Sequence, residues 1–249
     1  MEQGISLFID ALLGWHNLHY RRFRWREATS LYSVAVAAVL LKRTRAEMVE
    51  PVYEELMNRW PTPSQLCEAS IEELENLLKP IGLYRRRAKE LKRLACFLAE
   101  KRSWENPPKG VGPYVCSVIR CFGLGQPTLV VDSNVRRILS RVFGEEAVEA
   151  LRRSLEKTDS EKAKRINLAL IDFGALVCRP KRPRCRECPI RPLCRGAEKS
   201  SERAYSSSHS SSSSSSQNSS SPSSSQNSSS PHSSSSSHSS SHSSSSIIG

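Results

Sequence analysis

Gly110-Val111-Gly112-Pro113-Tyr114 opens, and Val130-Val131-Asp132-Ser133-Asn134 closes, the stretch around which the rest of the chain is organised. Two glycines one residue apart free the backbone for a tight turn, and the run after them, Tyr114 to Phe122, reads as helix. Eighteen residues past Tyr114, the apolar ramp Leu129-Val130-Val131 delivers a single carboxylate, Asp132. The combination implies a backbone turn that can grip a phosphate beside one acid.

Outward from this stretch the apolar spacing is helical. Ile5, Phe8, Ile9, Leu12 and Leu13 recur with helical rhythm over Gly4 to Leu18. After the basic aromatic segment His19 to Arg26, Leu31 to Leu41 is apolar on nearly every face, which predicts a helix through the middle of a core. Met48, Val49, Val52, Tyr53, Leu56 and Met57 predict an amphipathic helix that Pro61 and Pro63 stop. Ser70-Ile71-Glu72-Glu73 has the spacing of a capping box. Ala88, Leu91, Leu94, Ala95 and Leu98 mark the next helix, and Pro107-Pro108 breaks the chain before the glycine turn. Asn134 to Phe143, Glu145 to Leu155, and a long segment from Ser160 carrying Ile166, Ala169, Leu170, Phe173, Leu176 and Val177 complete the set. No stretch alternates as a sheet strand does, so the expected fold class is all-α.

Everything from Ser206 to the terminal Ile247-Ile248-Gly249 is Ser, His, Gln, Asn and Pro, a composition that cannot bury enough apolar surface to offset its ordering entropy. About 205 residues are left to fold, ample for one compact unit or two small domains. The tail holds no Lys, Arg, Asp or Glu, so the net charge of +12 sits entirely on the folded part. Such a surplus points to a polyanion, with nucleic acid the commonest. No run reaches the length of a membrane span and the first residues lack a secretory signal, so the reading is a soluble intracellular protein.

Of eight cysteines, Cys67, Cys96, Cys116 and Cys121 lie scattered in apolar surroundings and read as core residues. Cys178, Cys185, Cys188 and Cys194 instead form C-x6-C-x2-C-x5-C within seventeen residues, in loops rich in proline. Four soft ligands so close can wrap one centre. An intracellular location disfavours disulfides here, the paired C-x2-C knuckles usual for zinc are not both present, and unequal, longer loops suit an iron-sulfur cluster. Arg179, Lys181, Arg182, Arg184, Arg186, Arg191 and Arg195 crowd the same loop with only Glu187 to balance them, a surface that phosphates could approach.

Taken together, these motifs resemble the helix-hairpin-helix DNA glycosylases related to endonuclease III. Lys109-Gly110-Val111-Gly112 is similar to the family's hairpin, Val131-Asp132-Ser133-Asn134-Val135-Arg136-Arg137 to its catalytic aspartate segment, and Leu170 to Cys178 to the approach to its [4Fe-4S] loop. The likeness covers roughly residues 5 to 196. It implies a two-lobed fold: an N-terminal helix over 1–22 packing with the cluster lobe, a helical domain over 23–130 containing the hairpin, a cluster lobe over 131–197, and a disordered tail over 198–249. It further implies that Asp132 is catalytic, that Gly110 and Gly112 hold the DNA strand with a monovalent cation at the hairpin, and that the four cysteines bind a [4Fe-4S] cluster. Leu83, in Ile81-Gly82-Leu83-Tyr84, becomes the wedge that fills the gap left by a flipped base, with Lys42, Arg43 and Arg45 facing the base left behind or its phosphates. The expected partner is double-stranded DNA with a mismatched or damaged base, met by a monomer in the cytoplasm or nucleoid.

Position 114 divides the family. Relatives that also cut the strand carry a lysine there, which forms a Schiff base; the phenol of Tyr114 cannot. Tyr114 resembles the branch that removes thymine or uracil mispaired with guanine, so the expected activity is a glycosylase that leaves an abasic site. Alternatives are an adenine-specific mismatch glycosylase, an endonuclease III-type enzyme for damaged pyrimidines, and a DNA-binding paralogue without catalysis. The adenine branch normally has a glutamate where this chain has Ala38, and no acid lies between Ser33 and Leu41 to protonate a leaving adenine.

Overall fold

Residues 2–28 and 30–197 of the computed structural model fold into α1 (Glu2–His19), α2 (Leu31–Leu40), α3 (Ala46–Arg59), α4 (Pro63–Glu68), α5 (Ile71–Leu78), α6 (Tyr84–Ala99), α7 (Pro113–Val118), α8 (Ser133–Val142), α9 (Ala147–Glu156) and α10 (Ser160–Leu176). These are the residues the structure describes, and no strand occurs among them. The expected disordered tail over 198–249 lies outside them. No helix among them is long and apolar enough to cross a membrane.

Local chemistry sets most boundaries. The Ser30 side chain accepts from Ser33 N to start α2, and Ser70 and Glu73 close the expected capping box at α5. Pro63, read from sequence as part of a stop, instead begins α4. It occupies a first-turn position that needs no N–H, behind a second capping box between Thr62 and Gln65. α7 is shorter than the predicted run to Phe122. Ile119–Gly123 continues it as a π-helical turn, with Leu124 N donating to Ile119 O at 3.0 Å.

Two apolar cores form. Every residue of α2 from Tyr32 to Leu40 is buried, and this helix centres the first core with Leu56, Leu66, Leu74, Leu78, Leu91, Leu94 and Ile119. The second gathers Ile5, Phe8 and Leu12 of α1 with Ile138, Leu151, Leu155, Ile166, Leu170 and Phe173. Adjacent residues of the ramp part company: Leu129 belongs to the second core and Val130 to the first. The side chain of Asn167 holds the ramp there, accepting from Val130 N at 2.8 Å and donating to Thr128 O at 2.9 Å.

One buried charge ties the N-terminal segment to α10. Asp172, 0 % exposed, takes two hydrogen bonds from Arg26 (2.8 and 2.7 Å) and one from the Arg21 backbone (3.2 Å), and pairs with His16 Nε2 at 3.0 Å. Burial works against the ionised carboxyl, but Arg26 and His16 outweigh it and hold Asp172 below the usual carboxylate range.

The structure corrects the reading of two cysteines. Cys67 and Cys96 form a disulfide, their Cα atoms 4.7 Å apart, because α4 packs along α6 and brings the two positions face to face. The bridge closes a separation of 29 residues, for which chain entropy gives about 3.5 kcal/mol of stabilisation. Cys96→Ser, or reduction of the wild type, is therefore expected to lower the melting temperature by about 10 °C. Thermal unfolding with and without reductant checks this; coincident curves would show that the bond contributes nothing.

Candidate active site and DNA-facing loops

The hairpin turn is entered from an irregular segment, residues 100–112, rather than directly from a helix. Buried Trp104, edge-on to Phe97 at 5.7 Å between ring centres, anchors that segment to α6. Val111 N donates to Pro108 O at 3.2 Å to close the turn. Gly110 has φ +87°, and a Cβ there would collide with the guanidinium of Arg93, which donates to Lys109 O at 2.8 Å. Glycine is thus required at 110 for its conformation, while a Cβ there would oblige only the flexible end of Arg93 to move. A Cβ on Gly112 would meet nothing within 4 Å, so that glycine leaves open room at the start of α7.

Asp132 stands at the start of α8 and is its N-cap, a post that Ser133 could have filled by sequence. One carboxylate oxygen accepts from Val135 N at 2.8 Å and the other from Asn134 Nδ2 at 2.9 Å. Capping and chemistry are therefore compatible, since the cap is what fixes the carboxylate. Asn134 is fixed in turn: its Oδ1 accepts from Arg137 Nη2 at 2.7 Å, and the same guanidinium reaches Gly174 O and Cys178 O, each at 3.0 Å. A Cβ on Gly174 would lie 2.7 Å from Asn134 Cβ, so α10 must carry glycine where α8 crosses it.

Tyr114, in the first turn of α7, lies within electrostatic reach of Asp132. Burial, reinforced by that carboxylate, pushes the phenol well above its ordinary range, so it is neutral at any physiological pH. Tyr114 is thus a neutral phenol within electrostatic reach of a fixed acid. Ala38 is 0 % exposed within the first core.

The two DNA-facing elements expected from sequence are also neighbours. Leu83 is 54 % exposed and caps α6 with φ +52°, and Arg43 has φ +56°. A left-handed backbone at a branched or long side chain is costly, and such strain collects at functional positions. Arg43 and Arg45 are exposed. Lys42 is not free in the same way, because Glu90 holds its ammonium through both oxygens at 2.9 and 2.7 Å.

The four cysteines of the C-terminal loop carry free thiols, each half-buried. Burial pushes Cys188 up to about 11, with Cys194, Cys178 and Cys185 acting in the same direction, so the four sulfurs share one electrostatic environment. Backbone N–H groups point at two of them, from Ile190 to Cys188 and from Gly196 and Ala197 to Cys194. Arg141 Nη1 sits 3.5 Å from Cys178 Sγ. Among the described residues, no three His, Cys, Asp or Glu side chains converge on a single-ion position.

A basic all-helical chain that presents one fixed carboxylate and one neutral phenol beside a backbone turn has the makings of a base-releasing DNA repair enzyme. Comparison with known proteins defines the family: residues 36–161 match the HhH-GPD superfamily of base excision DNA repair proteins, and the chain belongs to it. A thymine/uracil-DNA glycosylase of Pyrobaculum aerophilum is 33% identical over 206 residues, 74% of this chain and 88% of that protein. The structure of a thermostable thymine-DNA glycosylase superposes with a TM-score of 0.68 at 28% identity, covering 79% of this chain and 98% of the other. An endonuclease III trapped as a covalent intermediate with DNA gives 0.69 at 25% identity, covering 81% and 99%. The protein is accordingly a base excision repair glycosylase, acting on N-glycosyl bonds, with DNA as its substrate.

The sequence pointed to Asp132, Tyr114 and the hairpin as candidate site residues and gave no role to Asn134, Arg137, Asn167, Arg93 or Glu90, whose side chains hold the surrounding segments. None belongs to a metal spacing, and Arg137, Asn167, Arg93 and Glu90 act through partners remote in the chain, while Asn134 bonds its near neighbours Asp132 and Arg137.

Proposed function

We propose that this enzyme hydrolyses the N-glycosidic bond of thymine or uracil mispaired with guanine in double-stranded DNA and leaves an abasic site without cutting the strand. The feature that carries the reading is a phenol, Tyr114, in the first turn of α7, together with Asp132, whose carboxylate is fixed as the cap of α8. Position 114, where strand-cutting relatives carry a lysine, is a phenol that cannot form an imine, which favours hydrolysis. The names of its relatives support the choice of base.

In this reading the target base leaves the stack, at a cost of a few kcal/mol that a mispair lowers, and Leu83 fills the gap. Arg43 and Arg45 face the guanine left behind or its phosphates, and Lys42 does so from its seat on Glu90. Gly110 and Gly112 let the backbone approach the strand. As the bond breaks, positive charge grows on the sugar, and Asp132 stabilises it while orienting a water. The buried Ala38 removes the acid that a leaving adenine would need, which sets the adenine reading behind this one.

The division of the chain follows: residues 23–130 carry the hairpin and the wedge, 131–197 with the N-terminal helix carry Asp132 and the cysteine loop, and 198–249 are a tail. The soft donor set and the N–H groups aimed at sulfur fit a [4Fe-4S] cluster on Cys178, Cys185, Cys188 and Cys194. When bound, the cluster supplies a cross-link that holds the basic loop in shape. Pro108 O and Lys109 O each accept one hydrogen bond, from Val111 N and from Arg93, and keep a second lone pair with which the hairpin could hold a monovalent cation. The enzyme works as a monomer in the cytoplasm or nucleoid.

The test is base release from a panel of duplexes carrying thymine, uracil, adenine or an oxidised pyrimidine opposite each normal base, with and without alkali. Release of thymine and uracil opposite guanine, with strand breaks only after alkali, is expected. Preference for adenine, or breaks without alkali, would overturn the reading.

A further inference from the structure

Three arginines follow one another at the start of α6, and they do not share a fate. Arg85 and Arg86 are exposed, whereas Arg87 is 2 % exposed, and no acceptor meets its Nε. Its Nη1 donates to Ile81 O at 2.9 Å, while its Nη2 donates to Lys42 O and to Thr44 Oγ1. Thr44 Oγ1 in turn lies 3.5 Å from Ile81 O. One turn further along α6, Glu90 holds the Lys42 ammonium, so both ends of Lys42 are secured from this helix.

These bonds span two loops that are far apart in sequence, Lys42–Arg45 and Ile81–Leu83. Each contains a left-handed residue that is not glycine, Arg43 at φ +56° and Leu83 at φ +52°. Such conformations persist only where the surroundings impose them, and Arg87 is the side chain that bonds the backbone on both sides. Burial disfavours its charged form and the Glu90 carboxylate opposes that effect. A buried guanidinium bonded to two backbone carbonyls and one hydroxyl is an expensive way to fill space, since an apolar side chain would fill it without desolvation.

We propose that Arg87 is a positioning residue for DNA insertion: it locks the Lys42–Arg45 loop and the Leu83 turn into one rigid unit that enters the duplex together. The inference rests on the reading of Leu83 as the wedge. Without the lock, Leu83 would still be exposed, yet it would arrive without a fixed relation to the residues that face the opposite base. The guanidinium suits the task because its fork reaches three acceptors in one plane, which a lysine ammonium cannot do.

The experiment is a double-mutant cycle of Arg87→Met and Leu83→Ala. The first readout is the fluorescence of 2-aminopurine placed beside the target base, which reports insertion whether or not a base is released. The second is single-turnover release of uracil opposite guanine and of uracil opposite an abasic analogue, where little stacking must be broken. Each single variant is expected to cut both the fluorescence change and the rate on the guanine pair by about tenfold, with less than about a twofold effect opposite the abasic analogue. The double variant should be no worse than either single one.

Additive losses would overturn the proposal, as would equal slowing on both duplexes, which is what a general loss of folding produces. A Leu83→Ala protein with unchanged fluorescence would instead overturn the wedge itself, and failure to release uracil with normal fluorescence would overturn only the choice of base. Should Arg87→Met not fold, Arg87→Lys keeps the charge, loses the fork, and is expected to show the same non-additive pattern.

Discussion

Asp132→Asn is expected to slow base release by about three orders of magnitude, roughly 4 kcal/mol of transition-state stabilisation, while leaving DNA affinity and stability nearly unchanged. The separation of effects follows from the two hydrogen bonds that Asp132 accepts. Val135 N at 2.8 Å caps α8, and asparagine caps a helix about as well as aspartate. The Asn134 Nδ2 contact falls on the other oxygen, where asparagine would present its own NH2 group, so that one contact is lost while the cap is kept. On the proposed mechanism, what the substitution removes is the negative charge facing the sugar. Alanine would be a poorer probe, because it would also remove the cap, at a cost of about 1 kcal/mol. Single-turnover base release, duplex binding and thermal unfolding on the same preparation check the prediction. A rate within tenfold of wild type would mean that Asp132 is a cap and nothing more.

What could be seen in the sequence was whatever depends on near neighbours. The apolar run of α2, the capping box at Ser70, the glycine turn and the cysteine spacing are all local, and the structure places each of those helices and turns where the pattern put them. Pro63 misled because a proline both ends one helix and begins another, and which it does depends on the cap that precedes it, here Thr62. The Cys67–Cys96 bond was invisible because it depends on how α4 lies against α6. Buried polar residues were missed for a related reason. Ala163, Asn167, Leu170 and Gly174 follow one another at helical spacing, as do Arg87, Leu91 and Leu94, so Asn167 and Arg87 stand within the apolar rhythm of their helices. A polar residue on such a stripe is a signal in itself, since burial without partners costs too much to be retained. Its partners lie elsewhere in the chain: Asn167 reaches Val130, 37 residues away, and Arg87 reaches Lys42, 45 residues away.

If the enzyme leaves the strand intact as proposed, Tyr114→Lys is expected to convert it into one that cuts, on the order of one nick for each base released. Position 114 is in the first turn of α7, within electrostatic reach of Asp132, and its phenol is held neutral by burial. The same burial would act on a lysine in the opposite sense, lowering its pKa toward neutrality, while Asp132 would pull the other way. A lysine that is partly neutral at pH 7 to 8 can attack the anomeric carbon as the base departs, forming an imine from which the 3′ phosphate is eliminated. The nick should therefore increase as pH rises through the lysine pKa, whereas base release by the wild type, which uses no amine, should not acquire strand cleavage at any pH. Borohydride reduction should trap the variant, and not the wild type, as a covalent adduct with DNA. A variant that still releases base but yields neither nick nor adduct would show that residue 114 does not face the sugar. In that case the absence of lysine could no longer explain why the strand is spared.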